Sequence, residues 1–192
     1  MKGLEIIRNG CEPVRIGAED GLLLVMFNHI ERFGITDLHA CVTEYATGDR
    51  CRYASESIKE GDVYEIRYTE FDSASEPIKL DKKGERPVTR RESQESETPD
   101  YPLMEIDYNG QTILKGWELD LNGKVVRGAL AGGGSGIIID SKNDYLQVSL
   151  SGTPAEGVMC KWFYNELMPG DVLKISFDEF PVETFDNPVK IF

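Results

Sequence analysis

Long hydrophobic runs, histidine and positive charge are what this sequence has least of. No apolar stretch in its 192 residues approaches the roughly 20 residues of a membrane-spanning helix. The opening MKGLEIIRNGCEP also lacks the uninterrupted apolar core of a secretion signal. A soluble, cytoplasmic chain with no membrane partner is therefore the expectation. Four cysteines, Cys11, Cys41, Cys51 and Cys160, form no CxxC pair, which fits reduced thiols and not a disulfide framework. With only His29 and His39 as histidines, no spacing among them and Cys11, Cys41 and Cys51 matches a closed zinc site, so neither metal nor cofactor is expected. The 34 acidic residues exceed the 21 basic ones by 13, and a surface of that sign repels phosphate backbones, which argues against nucleic acid as a partner.

What the sequence does contain is a repeat. Cys51 to Phe71, CRYASESIKEGDVYEIRYTEF, aligns without a gap with Cys160 to Phe180, CKWFYNELMPGDVLKISFDEF, and seven of the 21 columns are identical. Ordinary composition would give roughly one or two. Other columns exchange like for like: Arg52 with Lys161, Tyr53 with Trp162, Ile58 with Leu167, Tyr68 with Phe177. Upstream, Leu4-Glu5-Ile6 and Asn9-Gly10 correspond to Met104-Glu105-Ile106 and Asn109-Gly110. Downstream, Pro77 to Leu80 corresponds to Pro188 to Ile191. Residues 1–80 and 103–192 thus read as two copies of one unit. Between them, residues 81–102 carry 11 charged residues in 22 and read as a polar linker. Both units are acidic to the same degree, −6 from 9 basic and 15 acidic residues in the first and −6 from 7 and 13 in the second.

Each unit opens on an alternating run, an Asn-Gly pair and a second alternating run, the signature of a hairpin closed by a type I′ turn. Each also holds a Gly-Asp turn followed by a strand of alternating apolar and charged residues. Leu38 to Tyr45, Lys124 to Leu130 and Tyr145 to Leu150 are strand-like as well. Gly21 to Phe33 fits a buried strand or the start of a helix, and its glycine-rich counterpart favours strand. The expected fold is mainly β, two tandem, internally duplicated small β-barrel or β-sandwich units joined by a charged linker, with five to seven strands per unit.

Few residues suggest chemistry. The cluster Gly132-Gly133-Gly134-Ser135 could cradle a phosphate, but that needs a following helix or a Gly-Lys-Ser/Thr ending, and Ile137-Ile138-Ile139 is strand-like. A loop that contacts a partner is the better reading. His39 and Cys41, two apart on a strand, share a face as in a Cys-His pair, yet no third residue that would orient the imidazole stands out. Cys51 and Cys160 suit packed thiols. Carboxylate pairs such as Glu70 with Asp72 or Asp178 with Glu179 are too numerous to single out. Asp62 and Asp171 are explained by bonds to turn backbone. Trp162 and Tyr164 are candidates for a contact surface, being large rings on one strand.

Three functions compete. The first is a non-enzymatic protein-binding or inhibitory protein of the immunity type, presenting acidic surfaces to a basic partner. The second is a small-ligand-binding or hydrolytic domain with its site between the units. The third is a structural component of a larger assembly. The absence of a catalytic constellation places the binder first.

Overall fold

The structure is a computed structural model that describes residues 1–30, 35–83, 103–115, 118–120, 125–127, 135–142, 145–155, 158–178 and 189–191. Seven strands come from the first part of the chain: β1 (Lys2–Arg8), β2 (Val14–Gly17), β3 (Gly21–Ile30), β4 (Ile35–Glu44), β5 (Arg50–Ser57), β6 (Val63–Glu70) and β7 (Lys79–Asp81). Nine come from the second: β8 (Leu103–Tyr108), β9 (Gln111–Lys115), β10 (Glu118–Asp120), β11 (Val125–Arg127), β12 (Ser135–Lys142), β13 (Tyr145–Ala155), β14 (Val158–Leu167), β15 (Val172–Asp178) and β16 (Val189–Ile191). The described residues contain no helix, so none is long and apolar enough to cross a membrane. Gly21–Ile30 is a strand, as its glycine-rich counterpart suggested. The second part exceeds the expected five to seven strands through β10 and β11, which pair only with each other.

Of the expected small barrels or sandwiches, no closed barrel is formed. The strands lie in two open sheets, one of six strands in the order β2-β1-β6-β15-β8-β9 and one of eight in the order β16-β14-β13-β12-β3-β4-β5-β7. Each sheet takes half its strands from each part of the chain. The joins are β6 to β15, where Glu65 faces Lys174, and β3 to β12, where Val25 faces Ile139. Both orders are mirrored about those joins: the β1–β2 and β8–β9 hairpins flank one sheet, and β3-β4-β5-β7 and β12-β13-β14-β16 run outward in the other. Register irregularities fall in aligned places, between Ala40 and Cys41 against β5 and between Leu150 and Ser151 against β14. Tyr53 and Trp162, an aligned pair, are the extra residues.

One apolar core lies between the sheets. Leu4, Ile6, Ile66, Ile106, Leu173 and Ile175 face it from the six-stranded sheet, and Leu23, Val25, Leu38, Ala40, Ile139 and Val148 from the other. At its centre, Phe27 of β3 meets Tyr64 of β6 edge-on at 5.1 Å between centroids and stacks on Phe177 of β15 at 6.3 Å. Chain segments more than a hundred residues apart therefore share one cluster, and neither can bury its apolar face alone.

The turns are fixed by paired polar locks. Asn9 and Asn109 sit at φ 51° and 50°, followed by Gly10 and Gly110 at 70° and 78°, the left-handed pair that a type I′ turn requires. Asn9 Nδ2 donates to Asp62 Oδ1 at 2.9 Å and the Val63 N–H donates to Asn9 Oδ1 at 2.8 Å. Asn109, Asp171 and Val172 repeat this at 2.8 and 2.9 Å. Both carboxylates also accept from the backbone of their own turn, from Lys59 N–H at 2.8 Å and Met168 N–H at 2.7 Å. The locks differ in one partner. Arg8 grips Asp62 and reaches Glu56 at 2.5 Å, whereas Tyr108 donates to Asp171 at 2.6 Å and accepts from Asn165 at 3.3 Å. Burial and that bond push the Tyr108 hydroxyl up to about 12.

Gly3 marks the tightest approach. A β-carbon there would collide with the Ile16 carbonyl oxygen and lie 2.8 Å from the Phe71 ring. Gly3→Ala is expected to destabilise by about 2 kcal/mol, because strand pairing fixes the clashing backbone. Chemical denaturation would show it as a lower midpoint at unchanged slope.

Candidate functional site

A cleft of about 600 Å³ opens at one end of the sandwich, where the two parts of the chain meet. The first part contributes the start of β1, the β2–β3 turn with Glu19 and Asp20, and Tyr45 and Tyr68. The second contributes Ser141, Tyr145 and Leu146 from β12 and β13. Ser141 closes the floor by accepting from the Leu23 N–H at 2.8 Å and donating to the Gly21 carbonyl at 3.3 Å. The volume lies in the range of small-ligand sites.

Tyr68 is the side chain that gives this cleft a direction. It is only 7% exposed, yet its hydroxyl makes no hydrogen bond among the described residues, and its remaining surface opens into the cleft. A hydroxyl that faces the cleft without a protein partner can donate to or accept from a group that enters it. The aligned residue Phe177 has no hydroxyl and is packed in the core, so the feature belongs to this end of the molecule. Lys2 lies 3.7 Å from Glu70, and the terminal ammonium donates to the Phe71 carbonyl at 2.7 Å. Glu19 and Asp20 are exposed and form no ion pair among the described residues, so both carboxylates stand open at the mouth.

A second arrangement lies on the outer face of the eight-stranded sheet. Leu38 and Ala40 of β4 point into the core, so Asp37 and His39 point the other way. His39 Nε2 is 3.0 Å from Asp37 Oδ2, and Nδ1 is 3.2 Å from Ser55 Oγ on β5. Asn28 of β3 donates to Asp37 Oδ1 at 2.8 Å. Four polar side chains from three neighbouring strands thus form one line.

The residues singled out in the sequence fall as follows. Tyr164 on β14 is 51% exposed and its hydroxyl accepts from Gln147, whose amide also reaches the Tyr145 hydroxyl at 3.2 Å, which links it to the rim of the cleft. Trp162 lies on β14 as the extra residue of its irregularity. Gly132, Gly133 and Gly134 lie outside the described residues, and Ser135 opens β12 opposite His29 and Gly152. Cys41 is buried, and both nitrogens of His39 are engaged by other residues, so the two do not form a nucleophilic pair. Burial, with Glu44 and Asp49 nearby, pushes the Cys51 thiol up, as expected of a packed thiol. Among the described residues, no group of three or more His, Cys, Asp or Glu could hold a metal ion.

Sequence reasoning missed Tyr68, Glu19 and Asp20, and it missed Asp37 and Ser55 as neighbours of His39. Asp37-Leu38-His39 was the available signal, since alternation alone places Asp37 and His39 on one face. Ser55 and the cleft depend on pairings that no local pattern reveals.

Comparison with known proteins gives this site no precedent. No family model matches the chain, nor does a curated protein or a solved structure. Its function rests on its own geometry.

Proposed function

We propose that the chain is a tandem duplication of one β unit that acts as a binding protein, seating a basic protein partner at the cleft between its two parts. The observation that carries this reading is the cleft itself, with the Tyr68 hydroxyl facing it and Glu19 and Asp20 at its mouth. A lysine or arginine side chain meets those features together. Its charge is drawn by the carboxylates, its stem packs on tyrosine rings, and its donors can satisfy the hydroxyl. The net charge of −13 steers such a partner over longer range. An inhibitor that covers a basic active site is one form of this activity.

The duplication is supported by the seven identical columns, the mirrored strand order, the aligned irregularities and the twin Asn–Asp locks. It explains why the cleft is specific, since Tyr68 is replaced by Phe at the aligned position.

Affinity capture from the native host at low salt, with full-length protein as bait, tests the reading. A basic protein is expected to be retained and released as salt rises. Combining Tyr68→Phe with Glu19→Lys and Asp20→Lys should weaken its binding roughly 100-fold, about 3 kcal/mol, by titration of the captured partner. Equal affinity for wild type and variant would remove the cleft from the interface.

A further inference from the structure

We propose that Ser55 is an activated nucleophile that accepts the acyl group of a reactive carboxylic ester, with His39 as its general base and Asp37 as the residue that positions the imidazole. This proposal involves none of the cleft residues and stands apart from the binding reading.

The hydrogen-bond inventory fixes the direction of proton transfer. An ionised carboxylate only accepts, so the ring proton of His39 lies on Nε2, toward Asp37 Oδ2 at 3.0 Å. Nδ1 then carries the lone pair, and at 3.2 Å it accepts the Ser55 hydroxyl proton. The other oxygen of Asp37 is held by Asn28 at 2.8 Å, so the carboxylate cannot rotate away from the ring. Exposure rises along the line, from 11% for the Asp37 side chain to 23% for the His39 side chain to an open Ser55. A buried carboxylate, a half-buried imidazole and an accessible hydroxyl are the order that a serine nucleophile needs, and such constellations are recognised by geometry and role. At the aligned positions Gln147, Ser149 and Tyr164 replace Asp37, His39 and Ser55, so the fold does not impose this set.

In the reaction Ser55 Oγ bonds to the ester carbonyl carbon while His39 Nδ1 takes the hydroxyl proton. The carbonyl-to-alkoxy bond then breaks, and the alcohol leaves with that proton. Water adds to the acyl-serine by the same route, which releases the carboxylic acid and restores the hydroxyl. Ser55 lies within a strand, whose N–H groups lie in the plane of the sheet and not beneath a carbonyl above its face. The strand therefore supplies no oxyanion hole, which slows acylation and deacylation alike, so only esters with good leaving groups are expected to acylate Ser55, and turnover is expected to be slow.

The test is labelling of the full-length protein with a fluorophosphonate probe, read by intact mass and peptide mapping, with burst kinetics on a p-nitrophenyl ester. Ser55 should carry the label, and Ser55→Ala should lose it. His39→Gln should slow labelling at least 100-fold, the scale of general-base assistance. Asp37→Asn should slow labelling, and Asp37→Glu, which keeps the carboxylate, should restore it in part. Ser57→Ala, on the neighbouring exposed serine, should label like wild type. Label on another residue, no label above that of unfolded protein, or equal rates for wild type and His39→Gln would each overturn the proposal.

Discussion

Replacing Phe177 with alanine is expected to cost about 4 kcal/mol, near the top of the range for a single core substitution. The ring is 2% exposed, stacks on Phe27 at 6.3 Å and meets Tyr64 edge-on at 6.1 Å. Its loss leaves a void bordered by both sheets, which rigid strand pairing on either side cannot close. The more telling result is how the loss is distributed. Both tryptophans, Trp117 and Trp162, follow residue 103, whereas buried Cys41 belongs to β4. Denaturation followed by tryptophan fluorescence and by trapping of the Cys41 thiol should give one midpoint in the wild type, and Phe177→Ala should shift both readouts equally. Two separate midpoints would mean that the parts fold as independent units despite their shared sheets.

The second large effect is expected at Asp62. Its side chain is 7% exposed and accepts from Arg8, Asn9 and the Lys59 N–H. Asp62→Ala leaves a half-buried guanidinium with Glu56 alone and frees two turn donors, at a cost of about 3 kcal/mol. Asp171→Ala should cost less, about 2 kcal/mol, because its extra partner is the neutral Tyr108 hydroxyl. Burial raises the Asp62 carboxyl, but its bonds to Lys59, Arg8 and Asn9 together outweigh burial and hold it below the ordinary value. Asp171 is lowered likewise, with Tyr108, Met168 and Asn109 outweighing burial. A carboxylate with a depressed folded pKa adds stability above its unfolded value of about 3.9, and that stability is lost as pH falls through the folded value. Wild-type stability should therefore drop steeply below about pH 4, and the slope should flatten in Asp62→Asn and flatten further with Asp171→Asn added. Equal slopes for all three proteins in equilibrium denaturation would show that the locks carry no such linkage.

Both predictions rest on features of differing visibility. The Asp62 and Asp171 locks could be read from sequence in part, because Gly-Asp and Asn-Gly are local turn chemistry whose backbone demands few residue types can meet. That Asn9 and Asp62 hold each other, 53 residues apart, could not. The core aromatics were legible as strand residues, yet nothing local told that Phe27, Tyr64 and Phe177 would meet.

Ser55 shows where local reading stops. β5 pairs with β4 so that Arg52 faces Cys41, and continued without interruption that register would set Ser55 opposite Leu38, on the buried face. The extra residue at Tyr53 shifts it by one, and Ser55 comes opposite His39 on the open face. A sequence with a period of two cannot reveal a one-residue slip. The same holds for Tyr164, which the irregularity at Trp162 sets opposite Ser149.

The sequence by itself determined the mainly β character, the hairpin and Gly-Asp turns and the correspondence between residues 51–71 and 160–180, because each is a local pattern of alternation or turn chemistry. Tertiary structure alone decided that the strands of both parts join edge to edge in two shared open sheets and not in separate barrels or sandwiches. It also decided that Tyr68 opens into a cleft shared by both parts, and that Asp37, His39 and Ser55 stand in line. Those outcomes follow from register and from burial of one common core, which depend on pairings between residues far apart in the chain.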